Sequence, residues 1–389
     1  MSGGSKQITI AAAAAGFLTF TNMWCTQALL PVLGAALHAP PAQTGLTVTA
    51  PLAATAAMAP LIGAISDRFG RKRFIAGAAL LLVIPTLLAG ASVSLPMLIA
   101  CRFAQGLLLP FIFIVTIAYI GDELAGHATM RLAGIYTAGT ILGGFSGRFI
   151  AGLATEVFGW RAAFLCIGLL TLVMALVVCA LLPKERNFKP VRGIAGALRS
   201  FPDHLSNPRL LATYAVGFGM LFSLVTVFTF INFRLAEAPY NLGPAALGSI
   251  FVVYLGGVAI SPVAGRLAAK HGHRTVMAGA LALVFSGLAL TLAQPLWIIG
   301  LGLLLICSGL FTEQALATGY TSLAARAAKS TAVGLYVTCY YVGGSAGGTL
   351  PAGAWHASGW PGCAAITAAM QLAAFAMAMV FWRPLGPRG

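Results

Sequence analysis

The chain has 389 residues, of which 59% are hydrophobic and only 8% are charged, and its mean hydropathy is +0.92. A soluble domain carries roughly 25% charged residues, so this composition excludes a water-exposed exterior and indicates a surface that faces lipid. The net charge of +15 would suit a nucleic-acid partner, but membrane orientation accounts for the placement of the basic residues, and no nucleic-acid partner is expected.

Twelve apolar runs are long enough to cross a bilayer as helices, because about 20 helical residues span about 30 Å of hydrocarbon. Helical form is required, since an open strand would leave backbone polar groups unsatisfied in lipid. In chain order the predicted spans are 8–33, 44–65, 74–93, 95–117, 131–155, 162–182, 211–233, 244–265, 274–293, 296–318, 331–355 and 363–382. The first run exceeds the core of a signal peptide, so it is predicted to be retained as the first helix.

The basic residues divide unequally between the two sets of loops that these spans define. Of 23 Lys and Arg residues, 19 fall in one set, Arg161 and Arg234 fall in the other, and Arg102 and Arg148 lie inside spans. Because basic loops stay in the cytoplasm, this distribution predicts cytoplasmic N and C termini in an inner, cytoplasmic membrane.

The longest polar stretch, 184–209, divides the chain into an N-terminal half, 1–183, and a C-terminal half, 210–389. The halves resemble each other, because Gly134–Trp160 recurs as Gly334–Trp360 with eight identities in 27 positions at a constant offset of 200 residues. Parallel repeats of six helices are typical of transporters. The predicted fold class is therefore all-α integral membrane, with twelve transmembrane helices in two pseudo-symmetric six-helix bundles joined by a cytoplasmic linker.

The loop after the second span reads Gly63-Ala-Ile-Ser-Asp67-Arg68-Phe-Gly70-Arg71-Lys72-Arg73. It resembles the loop 2–3 signature of the major facilitator superfamily, G-x-x-x-D-R-x-G-R-[RK]-[RK]. Its glycines permit close helix approach and a tight turn, and its aspartate can pair with an arginine or cap a neighbouring helix. The residues expected to gate the cytoplasmic mouth are Gly63, Asp67, Arg68, Gly70, Arg71 and Arg73. The alternative for the basic residues at 71–73 is that they only anchor the topology.

The fourth span contains Arg102-Phe-Ala-Gln105-Gly106, which resembles the R-x-x-Q-G motif of proton-coupled drug and sugar efflux members. A charge inside a span is unfavourable and points to function, so Arg102 is expected to serve coupling or substrate binding, with structural pairing as the alternative. Arg148 lies in the glycine-rich fifth span, where snorkelling to the interface is the alternative.

Glu313 is the one acidic residue of eight that lies well inside a predicted span, beside Gln314. A carboxyl group there can take up and release a proton as access alternates, so the expected coupling ion is H⁺, with an end-cap role as the alternative. Family members often carry an acid in the first helix, where this chain has Asn22 and Gln27. Two embedded arginines against one embedded glutamate favour an anionic substrate.

The sequence thus predicts a secondary transporter that moves a small organic molecule by alternating access. Proton-coupled efflux is favoured over a proton-coupled importer of an organic anion or sugar, and over a non-transporting membrane receptor. No catalytic set, cofactor motif or metal-ligand spacing stands out, so no enzyme activity, cofactor or metal site is expected. The expected partners are the substrate and the lipid bilayer, and the expected state is a monomer. The predicted pathway residues are Asn22, Gln27, Arg102, Gln105, Arg148, Asn232, Glu313, Gln314, Tyr340 and Tyr341.

Overall fold

The computed structural model describes residues 3–124, 127–185, 201–325 and 329–382. Within these ranges, some side chains lie outside the description, namely those of residues 3–5, 63–64, 66–69, 127, 201, 258, 261, 322 and 329–330. All regular secondary structure in the described ranges is helical.

Twelve long helices follow one another through the described ranges. They are α1 (Gly3–Trp24), α2 (Leu46–Phe69), α3 (Arg71–Gly90), α4 (Leu95–Glu123), α5 (His127–Phe158), α6 (Trp160–Leu181), α7 (Pro208–Ala236), α8 (Val253–His271), α9 (His273–Leu290), α10 (Leu296–Ala324), α11 (Lys329–Gly347) and α12 (Trp360–Phe381). Short helical segments lie between them, at Gln27–Leu29, Leu30–Ala36, Pro41–Thr44, Phe201–Leu205, Pro244–Ser249, Ile250–Val252 and Ala352–Ser358.

Eleven helical segments of the described chain are long and apolar enough to cross a membrane, and α11 is not among them. The helices also present large apolar side chains on their outer surfaces. Ile84 of α3, Leu176 of α6 and Leu372 of α12 are each more than half exposed. Such surfaces suit lipid rather than water. The predicted all-α, multi-pass membrane architecture is therefore confirmed.

Three predicted spans are interrupted rather than continuous. In the first, α1 ends at Trp24 and the helix resumes at Leu30, where Pro31 has no N–H to donate to the carbonyl four residues earlier. In the eleventh, α11 ends at Gly347, shortly before Pro351, which interrupts the helix for the same reason. In the eighth, the 3₁₀ turn Ile250–Val252 separates two helical pieces and contains no proline.

The chain forms two compact units. The first comprises Met1–Ile194 with Leu235–Glu237 and Asn241–Phe251, and the second comprises Ala195–Arg234 with Ala238–Tyr240 and Val252–Gly389. In the first unit, α1 packs on α5 and α6, while α2 and α3 pack on α4. In the second, α8 and α9 pack on α10, and α9 also packs on α12. The linker boundaries at 184 and 209 stay a prediction.

Both units contain the same close helix crossing, which is built on glycine. In the first, a Cβ atom on Gly143 of α5 would overlap the backbone carbonyl of Phe17 in α1. In the second, a Cβ atom on Gly343 of α11 would overlap the carbonyl of Phe218 in α7 in the same way. Absence of a side chain lets the two backbones touch, which is how helices associate closely in lipid. The repeat seen in the sequence therefore corresponds to a repeated packing contact.

Replacement of Gly143 by alanine should lower the free energy of unfolding by about 1–3 kcal/mol, because the added methyl group overpacks a contact with rigid backbone. The matched control is Gly134→Ala in the same helix, where a Cβ atom meets no other atom within 4 Å. Melting of the two variants and the parent in one detergent measures the difference. Equal melting temperatures for Gly143→Ala and Gly134→Ala would show that the crossing tolerates a side chain.

Candidate functional site

Arg102 of α4 is fully buried and holds the end of α1. Its Nη1 and Nη2 atoms donate to the backbone carbonyls of Asn22 and Met23, at 2.6 and 2.7 Å. Its Nε atom donates to the carbonyl of Thr47 at 3.0 Å, and Nη1 also donates to Oε1 of Gln105. The last carbonyls of a helix have no partners within the helix and carry partial negative charge, so the guanidinium group caps α1.

A chain of buried side-chain hydrogen bonds continues from this cap. Gln105 donates from Nε2 to the hydroxyl of Thr86, and that hydroxyl donates to Oδ1 of Asn22, both at 2.7 Å. Asn22 in turn donates from Nδ2 to the hydroxyl of Thr171 in α6 at 2.7 Å. The structure therefore brings three predicted residues, Asn22, Arg102 and Gln105, into one network that joins α1, α3, α4 and α6.

Arg148 of α5 forms a second buried group with Gln27. Its Nε and Nη2 atoms donate to Oε1 of Gln27 at 2.9 and 2.7 Å, and Nη1 donates to the carbonyl of Gly144 at 2.8 Å. The guanidinium carbon also lies 4.6 Å from the ring centroid of Trp24 and 4.3 Å from that of Phe251. Arg148 is 1% exposed. The expected alternative of snorkelling is thus not what the structure shows, because the charge is held inside the unit by oxygen atoms and aromatic faces.

Glu313 of α10 is also fully buried, but its surroundings differ from those of the two arginines. Neither carboxyl oxygen has a hydrogen-bond partner among the described residues. The side chain of Gln371 in α12 interacts with the carboxyl group, and Tyr336 of α11 lies near it and interacts with Thr318, in each case without the full geometry of a hydrogen bond. The oxygen atoms Oε1 of Gln371 and Oη of Tyr336 likewise have no hydrogen-bond partner in the described chain.

The internal repeat shows how unusual this carboxyl group is. Helices α4 and α10 each have 29 residues and begin at Leu95 and Leu296, so Glu313 takes the position that Ile112 holds in α4. Ile112 is fully buried. The fold can therefore fill this position with an apolar side chain, and Glu313 is not a requirement of the architecture.

Three further predicted residues, Gln314, Tyr340 and Tyr341, lie in the same unit as Glu313. Gln314 donates from Nε2 to the hydroxyl of Tyr340 at 3.3 Å, and both side chains are half-buried. The ring of Tyr340 lies 5.3 Å from that of Tyr341 and 6.1 Å from that of Tyr336, measured between centroids. The sequence reasoning missed Tyr336 and Gln371, although Tyr336 belongs to the repeated Gly-x-Tyr motif.

Asn232 lies in α7 of the same unit. It is fully buried near the end of α7. Its predicted role in the pathway stays a prediction.

The motif Gly63–Arg73 is described only in part, because residues 63, 67 and 68 have side chains outside the described set. The structure places its first part, up to Phe69, at the end of α2 rather than in a loop. Gly70 has φ +95°, a conformation that favours glycine. Arg71 donates from Nε to Oδ2 of Asp122, at the end of α4, at 3.0 Å. The backbone N–H of Lys72 donates to Oε2 of Glu185 at 3.3 Å.

These two acidic partners, Asp122 and Glu185, were not predicted. The signal that could have found them is that both follow spans ending on the same side as the loop. Arg73 is exposed.

The sequence profile of the family described as the Major Facilitator Superfamily matches residues 12–252. Among similar proteins is the "Inner membrane transport protein YnfM" of Escherichia coli strain K12, which is 33% identical over 369 residues, covering 95% of this chain and 88% of that protein. An "Uncharacterized transporter" of Buchnera aphidicola subsp. Schizaphis graminum is 31% identical over 358 residues, covering 92% of this chain and 87% of that protein.

Solved structures share the fold at low sequence identity. A single-residue mutant of the nucleoside transporter NupG matches with a TM-score of 0.80 and 14% identity, covering 98% of this chain and 100% of that one. A bacterial homolog of the human lysosomal transporter Spinster, in an inward-facing and unoccupied conformation, matches with a TM-score of 0.76 and 14% identity, covering 98% and 95% of the two chains. At this identity the likeness shows the fold alone.

Replacement of Arg102 by lysine should lower the free energy of unfolding by about 2–3 kcal/mol, because an ammonium group cannot serve all the acceptors and leaves buried carbonyls unpaired. The same change at exposed Arg73 should alter stability by less than about 0.5 kcal/mol. Thermal melting of both variants in detergent compares them. A melting temperature for Arg102→Lys that matches Arg73→Lys would contradict the capping role.

Proposed function

Because the chain belongs to the major facilitator superfamily, we propose that it exports a small organic molecule in exchange for protons, through alternating access of one site to the two sides of the membrane. Family membership and the similarity to proteins named as transporters support transport itself. The observation that carries proton coupling is Glu313, a fully buried carboxyl group without a hydrogen-bond partner in the described chain.

The environment of Glu313 requires that its charge be compensated. Transfer of an unpaired carboxylate into a low-dielectric interior is unfavourable by several kcal/mol, so a cation must accompany it whenever it is closed off from water. A proton is the smallest such cation, and it can leave when the group is opened to an aqueous side. A carboxyl group that alternates between these two conditions carries one proton in each cycle.

The other predicted residues have different parts in this proposal. Arg102, Gln105 and Asn22 fix the end of α1, and Arg148 with Gln27 holds the segment that follows it. Gln314, Tyr340 and Tyr341 line the route to Glu313, and Asn232 lies along the same route. The segment Gly63–Arg73, where α2 ends and α3 begins, closes the cytoplasmic mouth, and the ion pair of Arg71 with Asp122 supports such a latch.

The proposed location is the inner membrane, with both termini in the cytoplasm and the monomer as the working unit. The similarity to a protein named as an inner membrane transport protein supports the location. The 19 basic residues in one set of loops support the orientation.

Direction of transport is tested with everted membrane vesicles, which expose the cytoplasmic face. An exporter accumulates substrate in everted vesicles when the lumen is acidic, and dissipation of the pH gradient releases it. Accumulation in right-side-out vesicles instead, driven by an inward proton gradient, would replace the exporter by an importer of the same fold.

Replacement of Glu313 by glutamine should abolish pH-driven flux in proteoliposomes, while the variant remains folded, as its melting in detergent measures. The glutamine keeps the shape of the side chain and cannot release a proton. Glu237→Gln is the matched control, because Glu237 is exposed at the end of the α7 region and should have no effect. Proton-driven flux in Glu313→Gln equal to that of the parent would remove Glu313 from the coupling step.

A further inference from the structure

We propose that Glu313, together with the tyrosines of α11, binds an organic cation, meaning an amine or quaternary ammonium compound. This inference rests on the proposed transport function and names the substrate class of the same site. It differs from the sequence expectation of an anionic substrate, which rested on counting two embedded arginines against one embedded glutamate.

The expectation of an anionic substrate assumed that Arg102 and Arg148 could bind a ligand. Both guanidinium groups already donate to other groups of the protein. Arg102 donates to three backbone carbonyls and to Gln105, and it is fully buried. Arg148 donates to Gln27 and Gly144, with aromatic rings within 5 Å of its guanidinium carbon. Both positive charges are thus used inside the first unit to hold α1 and the segment after it.

Around Glu313, the buried polar atoms that lack a hydrogen-bond partner in the described chain can all act as hydrogen-bond acceptors. They are both carboxyl oxygens of Glu313, Oε1 of Gln371 and Oη of Tyr336, which can also donate. The amide nitrogen of Gln371 is already used, because it donates to the carbonyl of Gly219 at 3.1 Å and to the hydroxyl of Ser223 at 2.8 Å. An ammonium group supplies the positive charge and the donors that this set lacks, whereas an anion would meet a carboxyl group.

Aromatic rings of α11 extend from Tyr336, which lies near the carboxyl group, to Tyr340, whose side chain is partly accessible. Tyr340 lies between Tyr336 and Tyr341, with the rings of Tyr340 and Tyr341 at 88° to each other. Its hydroxyl accepts a hydrogen bond from Gln314, which fixes the orientation of the ring. The faces of tyrosine rings attract cations, and clusters of aromatic rings bind ammonium compounds in proteins.

The first unit provides an internal comparison for each of these residues. At the offsets of the repeat, Glu313, Tyr340, Tyr341 and Gln371 correspond to Ile112, Thr140, Ile141 and Thr171. Tyr336 keeps its counterpart Tyr136, but the hydroxyl of Tyr136 donates to the carbonyl of Phe113 at 3.2 Å, and that of Tyr336 has no such partner in the described chain. The carboxyl group and the rings of Tyr340 and Tyr341 therefore occur together in the second unit. The corresponding positions of the first unit hold aliphatic or hydroxyl side chains.

Binding to the purified full-length protein in detergent tests this inference. The probes are a graded series of ammonium compounds from benzylamine to benzyltrimethylammonium and larger quaternary ions, with phenylmethanesulfonate and N,N-dimethylbenzamide as the anionic and neutral comparisons. Calorimetry should show at least one cation binding about tenfold or more tightly than both comparisons. Failure of every cation to bind would overturn the inference.

Variants locate the site. Glu313→Gln should weaken cation binding about 30-fold or more, since removal of one member of a buried charge pair has effects of that size. Glu313→Asp, which keeps the charge, should retain binding, and Glu237→Gln should bind as the parent does. Tyr340→Leu should weaken binding about 3–30-fold through loss of the ring face, while Tyr340→Phe keeps it. Melting of each variant without ligand shows whether it is folded.

Two results separate this inference from the transport proposal. Tight binding and counterflow of an anionic or neutral probe, unaffected in Glu313→Gln, would overturn the cation site and leave transport intact. Cation binding without counterflow of any bound probe in proteoliposomes would keep the site and overturn the transport proposal.

Discussion

A charged or broken element inside the hydrocarbon layer must take its polar partners from the protein, because lipid offers none. Arg102 and the end of α1 meet this constraint together. The helix end supplies carbonyls without partners, and the arginine supplies a planar fork of donors. Each would be unfavourable alone, and the pair fixes where α1 stops, how the chain turns towards Leu30, and how α4 sits against both.

The two units pack their helices in the same way, but their interiors contain different polar groups. Both bring helix backbones together through glycines such as Gly143 and Gly343. The first unit then fills its interior with a hydrogen-bonded network that runs from Arg102 to Thr171. The second places Glu313 in an interior where neither of its oxygens is satisfied by the described chain. The two units thus share their backbone contacts, and only the second contains a polar centre of this kind among the described residues.

The sequence predicted the membrane architecture because hydropathy and helix length are local properties. It did not predict the end of α1 at Trp24, since the run continues apolar enough to span and the arginine that stabilises the break lies three spans later. For the same reason it identified Arg71 and missed Asp122, whose pairing depends on how α3 and α4 pack. Counting embedded charges also leaves out which of them already have partners, as Arg102 does among the carbonyls at the end of α1.

Synthesis from the N terminus delivers the acceptors of Arg102 to the membrane before the arginine itself. Asn22, Met23 and Thr47 all precede it in the chain, so a nascent α4 leaving the insertion machinery finds its carbonyl partners already in the bilayer. For Glu313 the order of synthesis is reversed, since its neighbours Tyr336 and Gln371 are translated after it. During biogenesis α10 therefore enters the lipid with its carboxyl group unaccompanied, and the last two helices must follow promptly to enclose it.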